Sequence, residues 1–126
     1  MKMPAGLRKT KLFKTAVCIA LGRRVKFEEV NLVFVSGPEI RRINKKFLGH
    51  DYETDVISFA NPPSGADIFV CPKIARKNAA AYKQSVLEEL LTYAVHGALH
   101  LAGMDDTAEI LRRKMDAKTA KIIKSL

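Results

Sequence analysis

The chain has 126 residues, of which 48% are hydrophobic, so it can bury a core and does not have the composition of a disordered chain. Its 22 Lys and Arg residues outnumber 13 Asp and Glu residues, which gives a formal charge of +9. Two cysteines are too few for a disulfide framework, and no apolar run approaches the roughly 20 residues that span a bilayer. We therefore expect a cytoplasmic protein without a membrane partner, folded as a single domain over residues 1–126.

The charge is uneven along the chain. Residues 1–46 carry 12 basic and 3 acidic side chains, whereas residues 47–126 carry 10 of each. A one-sided basic surface attracts polyanions, nucleic acid before anionic membrane. The same excess of charge can also serve solubility alone.

The first part of the chain predicts a helix, a strand and a second helix. Residues 7–21 show an amphipathic helical pattern, and Gly22 can end that helix. Residues 30–35 are β-branched and almost wholly apolar, which predicts a well-buried strand. A cap, a proline and a glutamate at residues 36–40 begin the second helix, which should stop near Gly49.

The second part predicts a hairpin followed by helices. Residues 54–60 and 67–71 are short strands, and turn-forming chemistry at residues 61–65 joins them into an antiparallel hairpin. A helical pattern then covers residues 72–101, in one piece or with a break, and a charged amphipathic helix covers about 106–126. The prediction is an α+β fold: a small mixed sheet of three or four strands with a hairpin, packed against a long central helix and flanking helices.

The end of the long helix carries a candidate metal site. His96 and His100 are four residues apart, which places both imidazoles on one helical face. Gly103 can end the helix in a left-handed conformation, and Asp105 and Asp106 lie on the returning chain. Two imidazoles and one of these carboxylates can make a three-ligand cup, which suits a borderline cation such as Zn²⁺ and leaves a position for water.

The spacing is close to that of zinc peptidases that have a glycine turn before the third ligand. Those enzymes place a general-base glutamate directly after the first histidine, where this chain has Gly97. A metallohydrolase of peptides or small molecules is therefore the least favoured alternative. Because a metal activates water and polarises phosphoryl oxygens, the site beside a basic surface favours phosphodiester cleavage in a nucleic acid.

Three blocks carry a family resemblance. They are His-Gly-Ala-Leu-His-Leu-Ala-Gly-Met-Asp-Asp at 96–106, Thr-Asp-Val-Ile-Ser-Phe at 54–59 with Asp51 before it, and Asp-Ile-Phe-Val-Cys at 67–71. In type, order and spacing these blocks resemble the metal motif, the Thr-Asp-Val block and the Gly-Asp-Ile strand of the YbeY family of bacterial endoribonucleases, the rRNA maturation factors. The likeness covers roughly residues 30–106.

The resemblance implies a metal-dependent single-strand endoribonuclease in rRNA processing and ribosome assembly. It implies that His96 and His100 hold one Zn²⁺ per chain, with Asp106 standing where most members have a third histidine. Asp105 is the rival for that third position. A metal-bound water would cut the phosphodiester bond, and no residue is assigned as general acid or base. The implied partners are rRNA or other single-stranded RNA and the small ribosomal subunit or its assembly proteins.

Further residues near these blocks have open roles. The candidates for RNA phosphate contacts are Lys45, Lys46, Lys73 and Arg76. Glu89 could orient a histidine or could be an exposed helix charge. Aromatic residues make up 7% of the chain and form no interleaved array along it, so a stacking platform is not expected.

One departure from the family pattern keeps a second function open. Leu48 stands where many members have an arginine that is thought to handle phosphate. The alternative function is a non-cleaving, metal-stabilised factor that binds RNA or assembles ribosomes.

Overall fold

A computed structural model describes residues 10–22, 27–61 and 65–126. In these ranges the chain forms α1 (Thr10–Leu21), β1 (Glu29–Phe34), α2 (Gly37–Leu48), β2 (Val56–Asn61), β3 (Gly65–Val70), α3 (Pro72–Tyr82), α4 (Val86–Leu101) and α5 (Glu109–Lys124). The predicted α+β class is confirmed. The predicted start of the first helix and the centre of the hairpin turn lie outside the described residues.

The described strands form one mixed sheet in the order β1-β3-β2. β2 and β3 are antiparallel, with Phe59 opposite Asp67, so the predicted hairpin is present. β1 is parallel to β3, with Leu32 opposite Ile68, and the connection from β1 to the hairpin contains α2. Of the predicted three or four strands, the described residues form three.

The prediction that residues 30–35 form a well-buried strand is wrong in degree. Among the described strands β1 lies at an edge of the sheet, and within it only Leu32 is buried. Asn31 is exposed and donates a side-chain hydrogen bond to Asp67 across the parallel pair, at 3.1 Å. An edge position leaves one side of an apolar strand uncovered, which the hydropathy of the strand alone does not reveal.

Local signals account for the helix boundaries. Ser36 and Glu39 form a reciprocal capping box at the start of α2, and Gly49 ends that helix at a φ of +73°. The helical pattern over 72–101 is interrupted at Lys83, which has a φ of +55°. Ser85 then caps the start of α4 by accepting a hydrogen bond from the Glu88 amide.

Helix α4 is the centre of the core. It contacts α1, α3 and α5 as well as β2 and β3. One apolar cluster joins these elements, and its largest fully buried members include Phe13, Ile68, Leu90, Leu99 and Met115. A smaller cluster lies between α2 and the sheet, where Cys71 is buried. No helix in the described part of the chain is both long enough and apolar enough to cross a membrane.

Helix α4 packs tightly against the sheet at Gly97. A Cβ at this position would lie 2.6 Å from Ile68 Cγ2 and 3.1 Å from Val56 Cγ2. Because residue 97 has no side chain, the α4 backbone packs directly against the sheet at this point. This packing fixes the position of the neighbouring His96 relative to the sheet.

Candidate metal centre

The structure places His96 and His100 on the last turns of α4, each facing a carboxylate. His96 Nε2 lies 3.6 Å from Asp116 Oδ1 of α5, and His100 Nε2 lies 3.6 Å from Asp106 Oδ2. Gly103, at a φ of +95°, turns the chain after the helix so that Asp106 returns to it. Two histidine–carboxylate pairs thus meet near one end of the central helix.

His96 is the more buried of the two histidines. Its Nε2 atom is inaccessible to solvent and has no hydrogen-bond partner among the described residues. Burial lowers the pKa of His96, and the nearby carboxylates of Asp116 and Asp55 act against this shift. The neutral imidazole that results has a free lone pair, which is the form that binds metals.

His100 is oriented by the backbone. Its Nδ1 lies 3.2 Å from the carbonyl oxygen of Met104, and the tautomer that carries its proton on Nδ1 donates to this oxygen. Its Nε2 then carries the free lone pair, which is directed towards Asp106. A second hydrogen bond that holds one ring nitrogen in this way is the usual support of a metal-binding histidine.

The two distances of 3.6 Å suit a shared cation better than a direct hydrogen bond. Two ligand atoms at ~2.0–2.2 Å from a tetrahedral Zn²⁺ lie about 3.3–3.6 Å apart. Among the described residues, however, no three His, Cys, Asp or Glu side chains are close enough to hold an ion as they stand. The imidazole and carboxylate donors, and the unpaired Nε2 of His96, are suited to a metal ion. The side chains would have to rotate before three of them could bind the same ion.

The structure distinguishes Asp106 from Asp105, the other candidate for the third metal ligand. Asp105 accepts hydrogen bonds from the Thr107 amide and the Thr107 hydroxyl, each at 2.9 Å. These bonds lower the pKa of the Asp105 carboxyl and use one lone pair on each of its oxygens within the turn. Asp106 is thus the carboxylate of this turn that faces a histidine.

Two carboxylates near His96 were not among the predicted site residues. Asp116 lies on α5 next to Met115, which is buried in the core. The apolar pattern of α5, which predicts that the face with Met115 packs on the core, was therefore the only sequence signal that could have placed Asp116 near α4. The Asp55 carboxylate accepts hydrogen bonds from the Val56 amide and the Thr54 hydroxyl at the start of β2. Its negative charge also acts on His96.

Both predicted roles of Glu89 are unsupported. The residue is buried rather than exposed, and its side chain hydrogen-bonds with the hydroxyl of Tyr93 instead of a histidine. That hydroxyl also accepts a bond of 2.7 Å from the amide of Asn78. Burial is the main reason that the pKa of Tyr93 is raised above its ordinary value.

Removal of the Tyr93 hydroxyl should weaken the fold. We expect Tyr93→Phe to lower the free energy of unfolding by about 1–3 kcal/mol, because buried Glu89 and partly buried Asn78 lose a partner. Urea unfolding curves would measure the change. Tyr82→Phe is the control, since Tyr82 is 69% exposed, and equal stability of both variants would contradict the proposed network.

The four predicted phosphate-binding cations lie on α2 and α3 and are exposed. Lys73 Nζ is 2.9 Å from Glu53, Lys45 Nζ is 3.9 Å from Asp51, and Lys46 Nζ is 5.2 Å from the ring centre of Phe47. Arg76 is exposed on α3. None of these contacts reaches the histidines, so the RNA-binding role of these side chains stays a prediction.

The fold and site define an α+β protein with a histidine–carboxylate centre at the end of its central helix. The sequence profile described as Endoribonuclease YbeY matches residues 7–126. The Endoribonuclease YbeY of Elusimicrobium minutum is 56% identical over 97% of this chain and 92% of its own length. The Endoribonuclease YbeY of Bacillus licheniformis is 37% identical over 75% of this chain and 70% of its own length.

A solved structure agrees with this similarity. The solution structure of TM1509 from Thermotoga maritima matches with a TM-score of 0.62 and 28% identity, over 94% of this chain and 85% of that one. The chain therefore belongs to the YbeY family of endoribonucleases, and the family resemblance predicted from three sequence blocks is confirmed.

Proposed function

We propose that this protein is a metal-dependent endoribonuclease that cuts single-stranded RNA during rRNA processing and ribosome assembly. Membership of the endoribonuclease family supports the reaction and the RNA substrate. The observation that carries the metal dependence is the pair of histidines on α4, each 3.6 Å from a carboxylate. Its proposed location is the cytoplasm, and its proposed partners are the small ribosomal subunit or assembly proteins.

In this proposal His96, His100 and Asp106 hold one Zn²⁺. When bound, such an ion polarises a phosphoryl oxygen and lowers the pKa of water. The chain's own residues prepare the site: the Met104 carbonyl orients His100, and burial lowers the pKa of His96, which favours its neutral form. The Asp116 carboxylate, which is exposed on α5, lies 3.6 Å from His96 Nε2 and adds negative charge beside that histidine.

Cleavage of a single-stranded segment of rRNA by purified protein tests the proposed function. Activity should fall when the metal is removed by a chelator and return when Zn²⁺ is added back. A comparison with Mn²⁺ and Mg²⁺ would show which metal the site prefers, since imidazole ligands favour Zn²⁺ over the harder ions. Cleavage that is insensitive to chelation would rule out the metal mechanism.

The carboxylates can be ranked by matched substitutions. We expect Asp106→Asn to lower the affinity for Zn²⁺ by at least about 10-fold, because a charged donor is replaced by a neutral amide. Asp116→Asn should have a smaller effect, and Asp105→Asn should leave the affinity unchanged, since Asp105 is engaged by Thr107. Metal titration measures all three, and a larger loss for Asp105→Asn would reverse the assignment of the third ligand.

A second candidate function rests on Leu48. This side chain is 50% exposed at the end of α2, where the family resemblance implies an arginine. Without a guanidinium to hold phosphate, the protein could bind RNA as an assembly factor and not cut it. Tight, salt-sensitive RNA binding by metal-loaded protein that never cleaves would favour this function.

A further inference from the structure

An exposed apolar surface lies where α2 ends and the following loop begins. Phe47, Leu48 and Tyr52 are 58%, 50% and 54% exposed, although all three are large hydrophobic residues. Isolated exposed apolar side chains are ordinary, but a cluster of them marks a binding surface more often than chance. We call Phe47, Leu48, His50 and Tyr52 the ring surface.

The rings of this surface are already ordered. His50 and Tyr52 are stacked, with ring centres 5.4 Å apart and planes at 11°, and the Tyr52 hydroxyl lies 3.1 Å from His50 Nδ1. Phe47 packs against Phe59 of β2, with ring centres 4.9 Å apart. The backbone carbonyl of Tyr52 accepts a hydrogen bond of 3.0 Å from Asn44 of α2, which ties the loop to the helix. A ligand would therefore meet prearranged ring faces.

Cations lie next to the Phe47 ring and along the loop that follows α2. Lys46 Nζ lies 5.2 Å from the centre of the Phe47 ring. Arg41 and Lys45 flank the same loop, where both lie near a single carboxylate, that of Asp51. Flat ring faces beside cations match the two chemical parts of single-stranded RNA, because bases stack on rings while phosphates pair with cations. An apolar protein partner would gain nothing from these cations.

The ring surface is also close along the chain to the candidate metal centre. Three residues after Tyr52 comes Asp55, whose carboxylate acts electrostatically on His96. A strand of RNA that lies on the ring surface would therefore have a short path to the histidines.

We propose that His50, Tyr52 and Phe47 form a stacking subsite for an unpaired nucleobase of the RNA substrate. This inference rests on the proposed function for its ligand class. The chain shows no interleaved aromatic array along its sequence, because the rings come from separate elements: Phe47 at the end of α2 packs on Phe59 of β2, and His50 stacks on Tyr52 in the following loop.

Equilibrium binding of a fluorescent decauridylate tests the subsite, with the protein as purified and with intact RNA verified after each titration. Tyr52→Ala should weaken binding by about 5- to 100-fold, the range found when a base loses one aromatic partner. Because the Tyr52 side chain is exposed, its loss should leave folding intact. Tyr82→Ala, at an exposed tyrosine of α3, is the matched control and should bind as the wild type does.

A decamer without bases separates stacking from phosphate attraction. The wild type should bind this abasic strand about as weakly as Tyr52→Ala binds decauridylate, and Phe47→Leu should lose affinity for decauridylate but not for the abasic strand. Equal binding of decauridylate by wild type and Tyr52→Ala would overturn the subsite and leave a protein-docking role for the ring surface. That outcome is distinct from failure of the nuclease function, which chelation of the metal tests separately.

Discussion

Replacement of His100 by alanine should abolish metal-dependent RNA cleavage and leave the protein folded. The variant removes one of two imidazoles from the candidate centre, so Zn²⁺ affinity should fall on the order of 100-fold or more. Cleavage at a limiting metal concentration should fall in proportion. The measurements are metal content per chain after dialysis, the rate of RNA cleavage, and the melting temperature.

His100 is a cleaner test than His96. Its side chain is about one-third exposed, and its polar contacts are the Met104 carbonyl and Asp106, so little packing is lost on truncation. His96 is more buried, and its removal would also open space between α4 and α5. A melting temperature close to that of the wild type would therefore attribute the lost activity of His100→Ala to the metal site.

His50→Ala is the matched control for metal binding. His50 is exposed and stacks on Tyr52, so its loss should leave the metal content unchanged. Full metal content and full activity in His100→Ala would refute the proposed centre. Loss of metal in both variants would show that His50, outside α4, also contributes, which the arrangement of the site does not predict.

Gly97→Ala should destabilise the protein although alanine is the better helix former. The added methyl group would lie 2.6 Å from Ile68 Cγ2, an atom on a β-branched, fully buried side chain that cannot rotate away freely. Overpacking of this kind costs about 1–3 kcal/mol, against a gain of up to ~1 kcal/mol in helix propensity. We expect a net loss of about 1–2 kcal/mol and a melting temperature that is lower by several degrees.

A double-mutant cycle identifies the cause. In the Ile68→Ala background the clashing Cγ2 is absent, so Gly97→Ala should cost less than in the wild type or should stabilise. Equal costs in the two backgrounds would assign the effect to another contact. The same lack of space excludes the glutamate that zinc peptidases carry after their first histidine, so the packing on Ile68 gives a structural reason for the departure at Gly97.

Signals that act within a few residues predicted the fold well. The cap at Ser36, the stop at Gly49 and the hairpin around residues 61–65 each depend on backbone chemistry inside a short segment. The two histidines of the site were also predictable, since a spacing of four fixes their common face on any helix. Family membership supports the same part of the chain.

Burial and long-range contacts were predicted less well. From its charge Glu89 could be an exposed helix residue, but α4 is surrounded on most sides, so Glu89 is buried against Tyr93. The apolar β1 was expected to be well buried, but it lies at the sheet edge among the strands that the structure describes. The hydropathy of a residue indicates whether it can be buried. Whether it is buried depends on which other elements pack against its helix or strand.

The order of amino acids alone therefore established the helices, the hairpin and the histidine pair, because each depends on spacing or capping over a few residues. Only the tertiary structure decided that Asp116 of α5 faces His96, that Asp105 is engaged by Thr107 while Asp106 faces His100, and that Gly97 rests on the sheet. These contacts depend on how α4 is held between the sheet and α5, and on the path of the turn after Gly103. No local pattern in the chain encodes that arrangement.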